Sequence, residues 1–210
     1  MPRRLPEVGI ITGPRLTVRR LSCERDDRML FRELAFSASD GEIWQITGAN
    51  GAGKTTLLRI LVGLHGFFEG EVRWREPLAP SLLYLGHQPG VREELSAREN
   101  LRYSQALSGQ AGDPDAALDA VGLYGFEDVP AGRLSAGQKR RIALARLWLA
   151  PKPVWVLDEP FTAIDQDGVA RLDARLRQAA AAGTLVLYTS HHRVGDDVRR
   201  LHLGDAGGAP

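Results

Sequence analysis

Cysteine is almost absent. The 210 residues hold one, Cys23, so no intrachain disulfide can form and the composition suits a reducing compartment. Cys23 itself reads as a buried structural thiol. Long apolar runs are missing too. The longest near the glycine-rich loop, Leu57 to Leu64, is broken by Arg59 and Gly63 and falls far short of the about 20 residues that span a bilayer. The chain is expected to be soluble by itself, so any membrane role needs another polypeptide. Net charge is nearly absent as well: 27 Lys and Arg face 26 Asp and Glu. That balance supplies no global field to attract nucleic acid or an acidic partner. The first 20 residues are locally basic, with Arg3, Arg4, Arg15, Arg19 and Arg20 against Glu7 alone. They read as a solvated terminus. Pro6 and Glu7 follow Arg3-Arg4 with no sustained apolar region, so no signal peptide is expected.

What remains is ordinary globular composition, enough for one domain with a real core and an inserted subdomain. Leu16 to Leu21 and Met29 to Ser37 read as strands around a turn at Asp26-Asp27. Glu42 to Thr47 is a short apolar strand entering a glycine-rich loop. From Gly53 a helix is expected, with Leu57, Leu58, Leu61 and Leu64 on one face. Gly70 to Trp74 and Leu82 to Leu85 are further strands. From Pro89 to Gly132 no good strand occurs. Ser96 and Glu99 have the form of a capping box, and Asp113-Pro114 announces a second helix through Val121. A helix over Ala136 to Leu149, the strand Val154 to Leu157, a helix carrying Val169, Leu172, Leu176 and Ala179, and the strand Thr184 to Thr189 complete the core. The apolar strands do not alternate cleanly. Strands buried on both faces look like that, so the fold class is α/β with a mainly parallel central sheet. It carries an N-terminal antiparallel β region and an inserted helical subdomain.

Gly48-Ala49-Asn50-Gly51-Ala52-Gly53-Lys54-Thr55 matches the phosphate-loop pattern in full. Its glycines let successive amides turn toward phosphate oxygens, and the following helix start adds its own. Lys54 can reach the outer phosphates, Thr55 can offer its hydroxyl to Mg²⁺, and Thr56 continues the site. About a hundred residues later, Val154-Trp155-Val156-Leu157 ends in Asp158-Glu159. A buried strand delivers such carboxylates at its C-terminal end, where Asp158 would hold Mg²⁺ and Glu159 would polarise water as general base.

Leu134-Ser135-Ala136-Gly137-Gln138 opens a helix about twenty residues before Asp158, and it resembles the signature motif of ABC-type ATPases. Ala136 stands where glycine is usual. The resemblance covers roughly Leu16 to Leu203. It implies ATP and Mg²⁺ as ligands, with Ser135, Gly137 and Gln138 of one copy facing the ATP of another in a head-to-tail dimer. It further implies that Gln88, in Gly86-His87-Gln88-Pro89, contacts Mg²⁺ and water. Asp165 in Ala163-Ile164-Asp165 resembles the D-loop, and His191 after Ser190 resembles the switch histidine, with His192 a rival. The family usually stacks an aromatic residue on adenine. That position falls near Arg25, which either stacks on the base or is an exposed turn charge.

Several longer stretches resemble the ATP-binding subunits of bacterial cytochrome c maturation (haem exporter) systems. They are Cys23-Glu24-Arg25-Asp26, Leu85 to Gly90, Leu134 to Arg141 with Ala145 to Leu149, and Asp158 to Asp165. The resemblance implies docking on integral membrane permease subunits at the cytoplasmic side of the inner membrane. It also implies hydrolysis tied to haem export or release of a haem-loaded chaperone, with no nucleic acid. No residue reads as a haem ligand. A generic ABC transporter subunit with another cargo, or a soluble ABC ATPase acting on ribosomes or DNA, remain the alternatives. The expected organisation is a flexible segment 1–15, an ATP-binding domain 16–203 with a helical subdomain at about 89–150, and a flexible tail 204–210.

Overall fold

The computed structural model describes residues 13–190 and 197–204. Two sheets carry the fold. The first is antiparallel, in the order β2-β1-β4, from β1 (Leu16–Arg25), β2 (Arg28–Ala38) and β4 (Glu69–Trp74). Asp26 and Asp27 join β1 to β2 with φ of 52° and 57°. Two left-handed residues make the hairpin turn whose twist matches its strands, and aspartate tolerates that conformation better than most residues.

The second sheet is parallel throughout. It contains β3 (Ile43–Gly48), β5 (Leu82–Leu85), β6 (Val154–Leu157), β7 (Leu185–Thr189) and β8 (Arg199–Leu203), in the order β5-β6-β7-β3-β8. Its central strands are buried on both faces, and the period of two divides them between two cores. In β6, Trp155 and Leu157 join the core that also holds Leu101, Leu118, Ile142 and Leu172. Val154 and Val156 face the other core, with Leu57, Leu58 and the antiparallel sheet's Leu16 and Val18.

α1 (Lys54–Leu61) lies in that second core. The Trp74 indole donates to the Leu61 carbonyl at 2.9 Å and ties β4 to the end of this helix. The first core takes α3 (Ala97–Ser108), α4 (Pro114–Ala120), α5 (Ala136–Ala145) and α6 (Gln166–Ala181). Ser96 and Glu99 form the expected capping box, and Asp113 caps α4 ahead of Pro114.

Three elements differ from expectation. The helix expected to run to Leu149 stops at Ala145 and tightens into a 3₁₀ turn, Arg146–Trp148. The Ala150 amide has turned away to bond the Ala111 carbonyl at 2.8 Å, and Pro151 and Pro153 cannot continue a helix. The strand β8 and the short α2 (Leu78–Ser81) were not anticipated. β8 is an edge strand with two exposed arginines, so its one buried face carries little apolar signal.

Candidate nucleotide site

β3 ends at Gly48 and α1 begins at Lys54, so residues 49–53 form a loop at the carboxyl end of the sheet. Glycine is required here by geometry. Gly48 has φ of 147°, and a Cβ there would meet the Leu203 carbonyl oxygen at 2.6 Å. Gly53 has φ of 93°, and its Cβ would meet Leu30 Cβ at 3.0 Å. Gly53 offers no side-chain cap to α1. The first amides of the helix are therefore left for an anion, aided by the positive end of the helix dipole. Lys54 is buried. Its ammonium donates to the carbonyls of Gly48 at 2.9 Å and Ala49 at 3.1 Å.

The carboxylate side is built from two strand ends, those of β6 and β7, and the first turn of α1. Asp158 follows β6 and is almost fully buried. The Thr55 hydroxyl donates to its Oδ2 at 2.9 Å, and the Thr189 hydroxyl donates to its Oδ1 at 2.7 Å. Thr189 ends β7, which lies between β3 and β6 in the sheet. Its hydroxyl also accepts the Glu159 amide at 2.8 Å. Glu159 has φ of 49°, a left-handed conformation uncommon outside glycine and concentrated at functional sites.

Arg140, on α5, completes this corner. Nη2 donates to the carbonyls of Asp158 at 2.9 Å and Glu159 at 2.8 Å. Nη1 donates to those of Gly86 at 3.1 Å and His87 at 3.4 Å. Burial lowers the guanidinium's pKa from its usual value, while the charges of Asp158 and Glu159 oppose the shift. Tyr84 is raised, by burial and then by the Asp158 charge.

A cavity of about 520 Å³ opens over the loop. Asn50, Gly51, Gly53, Lys54, Thr55 and Thr56 line one side, Glu159 and His87 another, and Arg25 and Arg28 the rim. The volume is in the range of small-molecule sites. The residues fit Mg²⁺ as well: an exposed threonine hydroxyl beside a buried carboxylate is an all-oxygen donor set of the kind hard cations take.

Other expected residues lie apart from this cavity. Gln88 is exposed on the loop after β5, and its neighbour His87 reaches the lining instead. Ser135, Gly137 and Gln138 open α5 away from the chain's own cavity. Ser135 and Gln138 form a reciprocal capping box, with the Gln138 amide 3.2 Å from the serine hydroxyl. Asp165 caps α6 by accepting the Gly168 amide at 2.8 Å, and it pairs with Arg141. The Gly168 bond first, and Arg141 next, hold its carboxyl below the usual range. His191 and His192 lie outside the described residues.

Four contributors escaped sequence reasoning: Arg28, His87, Thr189 and Arg140. Arg28 had a usable signal, because the two-residue turn at Asp26-Asp27 sets it opposite Arg25. Arg140 had none. In Lys139-Arg140-Arg141 it looks like a solvated helix face.

The phosphate loop, the carboxylate pair and the capped signature helix lie in a segment, residues 31–162, that matches the family model described as ABC transporter. The chain belongs to the ABC transporter family. It is an ABC-type ATPase, and ATP is its nucleotide. A cytochrome c biogenesis ATP-binding export protein from Alcanivorax borkumensis is 75% identical over 190 residues, 90% of this chain and 88% of that protein. Solved ABC proteins share the fold at low identity. An ABC transporter ATP-binding protein from Pyrococcus furiosus superposes with a TM-score of 0.78 at 24% identity, covering 90% of this chain and 96% of that one. A dimeric ATP-binding cassette in a post-hydrolysis state, bound to ADP and Pi, gives 0.74 at 20% identity, covering 84% and 88%. Among the described residues of this ABC ATPase, no helix is long and apolar enough to cross a membrane.

Proposed function

We propose that this ABC ATPase serves c-type cytochrome biogenesis, coupling ATP hydrolysis to haem export or to release of a haem-loaded chaperone. The observation that carries the reading is the 75% identity to the Alcanivorax borkumensis export protein across nine-tenths of the chain. The chain acts at the cytoplasmic face of the inner membrane through integral permease subunits, and it takes no nucleic acid.

The site residues have distinct tasks. Loop amides from Gly48 to Gly53, with Ala49, Asn50, Gly51 and Ala52 between, cradle the phosphates. Lys54 takes the outer phosphates, and Thr56 extends the cradle. Thr55 and Asp158, with Gln88, hold Mg²⁺, which when bound neutralises charge on the phosphates. Glu159 orients the attacking water and accepts its proton at a carboxylate oxygen. His191 contacts the γ-phosphate. Arg25 lies at the adenine end. Ser135, Gly137 and Gln138 act on the site of a second copy, with Asp165 at the same interface. Their position away from their own cavity supports that arrangement. Residues from about 89 to 150 form the helical subdomain of the ATP-binding domain 16–203.

The test is co-purification of the tagged chain from detergent-solubilised membranes, with phosphate release measured on the eluate. The expected result is an ATP-hydrolysing complex containing integral cytochrome c maturation subunits. Recovery with a lipid or drug permease, and without those subunits, contradicts the cargo.

A further inference from the structure

Arg140 is the most deeply placed cation near the site, and the expected ATPase roles leave it without a task. It is 6% exposed, on the second turn of the ten-residue helix α5. Burying a guanidinium is costly unless its donors are satisfied in good geometry. Its four hydrogen bonds all go to backbone carbonyls, two beyond β5 and two beyond β6. Nε finds no acceptor among the described residues. A charge held this way needs a function beyond filling space, since an apolar side chain would fill it without the desolvation cost.

The carbonyls it selects are informative. Two of them flank the α-carbon of Glu159, whose φ of 49° is unfavourable for a residue with a side chain. A backbone in such a conformation persists when its surroundings over-determine it. Three hydrogen bonds do so here: Arg140 to the Asp158 carbonyl, Arg140 to the Glu159 carbonyl, and the Glu159 amide to Thr189. The direction in which Cβ leaves the backbone is set by φ and ψ. Fixing this peptide therefore fixes where the Glu159 carboxylate starts. The same guanidinium bonds the loop that carries His87 and Gln88, so one side chain ties both loops to α5.

We propose that Arg140 is a positioning residue for hydrolysis: its planar fork locks Glu159 in its left-handed conformation and fastens the signature helix to the loops after β5 and β6. This rests on Glu159 acting as the general base. It has a further consequence. Ser135, the N-cap of α5, meets the second copy's ATP under the reading above. Engagement there reaches this chain's own Glu159 through one rigid helix and one side chain.

The experiment uses the full chain in its membrane complex, with Arg140→Met and Arg140→Lys variants. Radiolabelled ATP binding and Mg²⁺-dependent phosphate release are measured on each. The expected result for Arg140→Met is kcat lower by about 10- to 100-fold, the scale of a misplaced general base, with ATP Kd changed by no more than about threefold. Arg140→Lys, which keeps the charge and loses the fork, should recover part of the rate. Wild-type kcat in Arg140→Met overturns the proposal. So does a parallel loss of binding and turnover that Arg140→Lys fails to correct, and so does failure of both variants to fold, which would make Arg140 a structural residue only. If Arg140→Met alone fails to fold, the kcat and Kd of Arg140→Lys decide by the same criteria. Failure of the underlying reading shows separately, as full turnover by Glu159→Gln.

Discussion

The Thr55 hydroxyl lies 2.9 Å from the Asp158 carboxylate, across 103 residues of sequence. One residue lies in the first turn of α1 and the other follows β6, so the contact joins the phosphate loop to the carboxylate strand. Thr189 braces the same carboxylate from β7, between them. Asp158→Asn should raise the Mg²⁺ concentration needed for half-maximal turnover and lower kcat by about 100-fold or more, because a hard cation loses its charged oxygen ligand. ATP binding without Mg²⁺ should change little. Titration of phosphate release against Mg²⁺ checks both statements.

Thr189→Val removes one hydroxyl that serves two partners. The Asp158 carboxylate loses a donor and the Glu159 amide loses its acceptor. Stranding buried groups costs about 1–3 kcal/mol, so denaturant unfolding should show a loss of that size. Turnover should fall more than ATP affinity, since the substitution reaches the nucleotide only through Asp158 and Glu159.

The Lys54 ammonium donates to the carbonyls of Gly48 and Ala49 in its own loop. Lys54→Ala should leave the nucleotide-free protein folded but abolish its stabilisation by ATP. At a hundredfold excess over Kd, ligand binding contributes about 2.7 kcal/mol to the wild-type protein. A thermal scan with and without ATP should show a clear upward shift for wild type and none for the variant.

Much of this site was legible in sequence because its chemistry is local. The residues from Gly48 to Thr55 form one continuous loop, and Asp158-Glu159 is one dipeptide at a strand end. Ser96 announced its helix through a capping pattern with Glu99, and Leu134 to Gln138 is one continuous motif at a helix start. What stayed hidden depends on contacts between distant segments. β8 shows itself only by pairing with β3. Thr189 read as the end of a strand, and its role arises because β7 lies between the two functional strands. Arg140 sits among neighbouring cations, and only the packing of α5 against β5 and β6 shows that it points inward. The 3₁₀ turn after Ala145 likewise follows from a long-range bond, Ala150 to Ala111.

Ser135 has a local task and, under the proposed function, a remote one. Its hydroxyl caps α5 by accepting the Gln138 amide. Ser135→Arg should lower stability by about 1 kcal/mol through loss of the cap. ATP binding to the single chain should persist. In a Glu159→Gln background, light scattering should show an ATP-dependent dimer for Ser135 and a monomer for Ser135→Arg. A persisting dimer would remove the signature residues from the interface.

Arg25 and Arg28 flank the cavity where the family usually carries an aromatic ring. A guanidinium stacked on a base contributes about 0.5–1 kcal/mol at an exposed site. Arg25→Ala should therefore raise the ATP Kd by about two- to fivefold, and Arg25→Tyr should restore it. Equilibrium binding of labelled ATP reads the difference, and an unchanged Kd in Arg25→Ala would make this arginine a turn charge only.

The most direct measurement is made in cells. The chromosomal gene is replaced by a Glu159→Gln allele, and covalent haem in c-type cytochromes is read by haem-dependent peroxidase staining of membrane proteins. The account predicts normal amounts of the variant chain in the membrane fraction and no haem-bearing c-type cytochromes, with recovery when the wild-type gene is returned. Wild-type levels of haem-bearing cytochromes in the Glu159→Gln strain would contradict it.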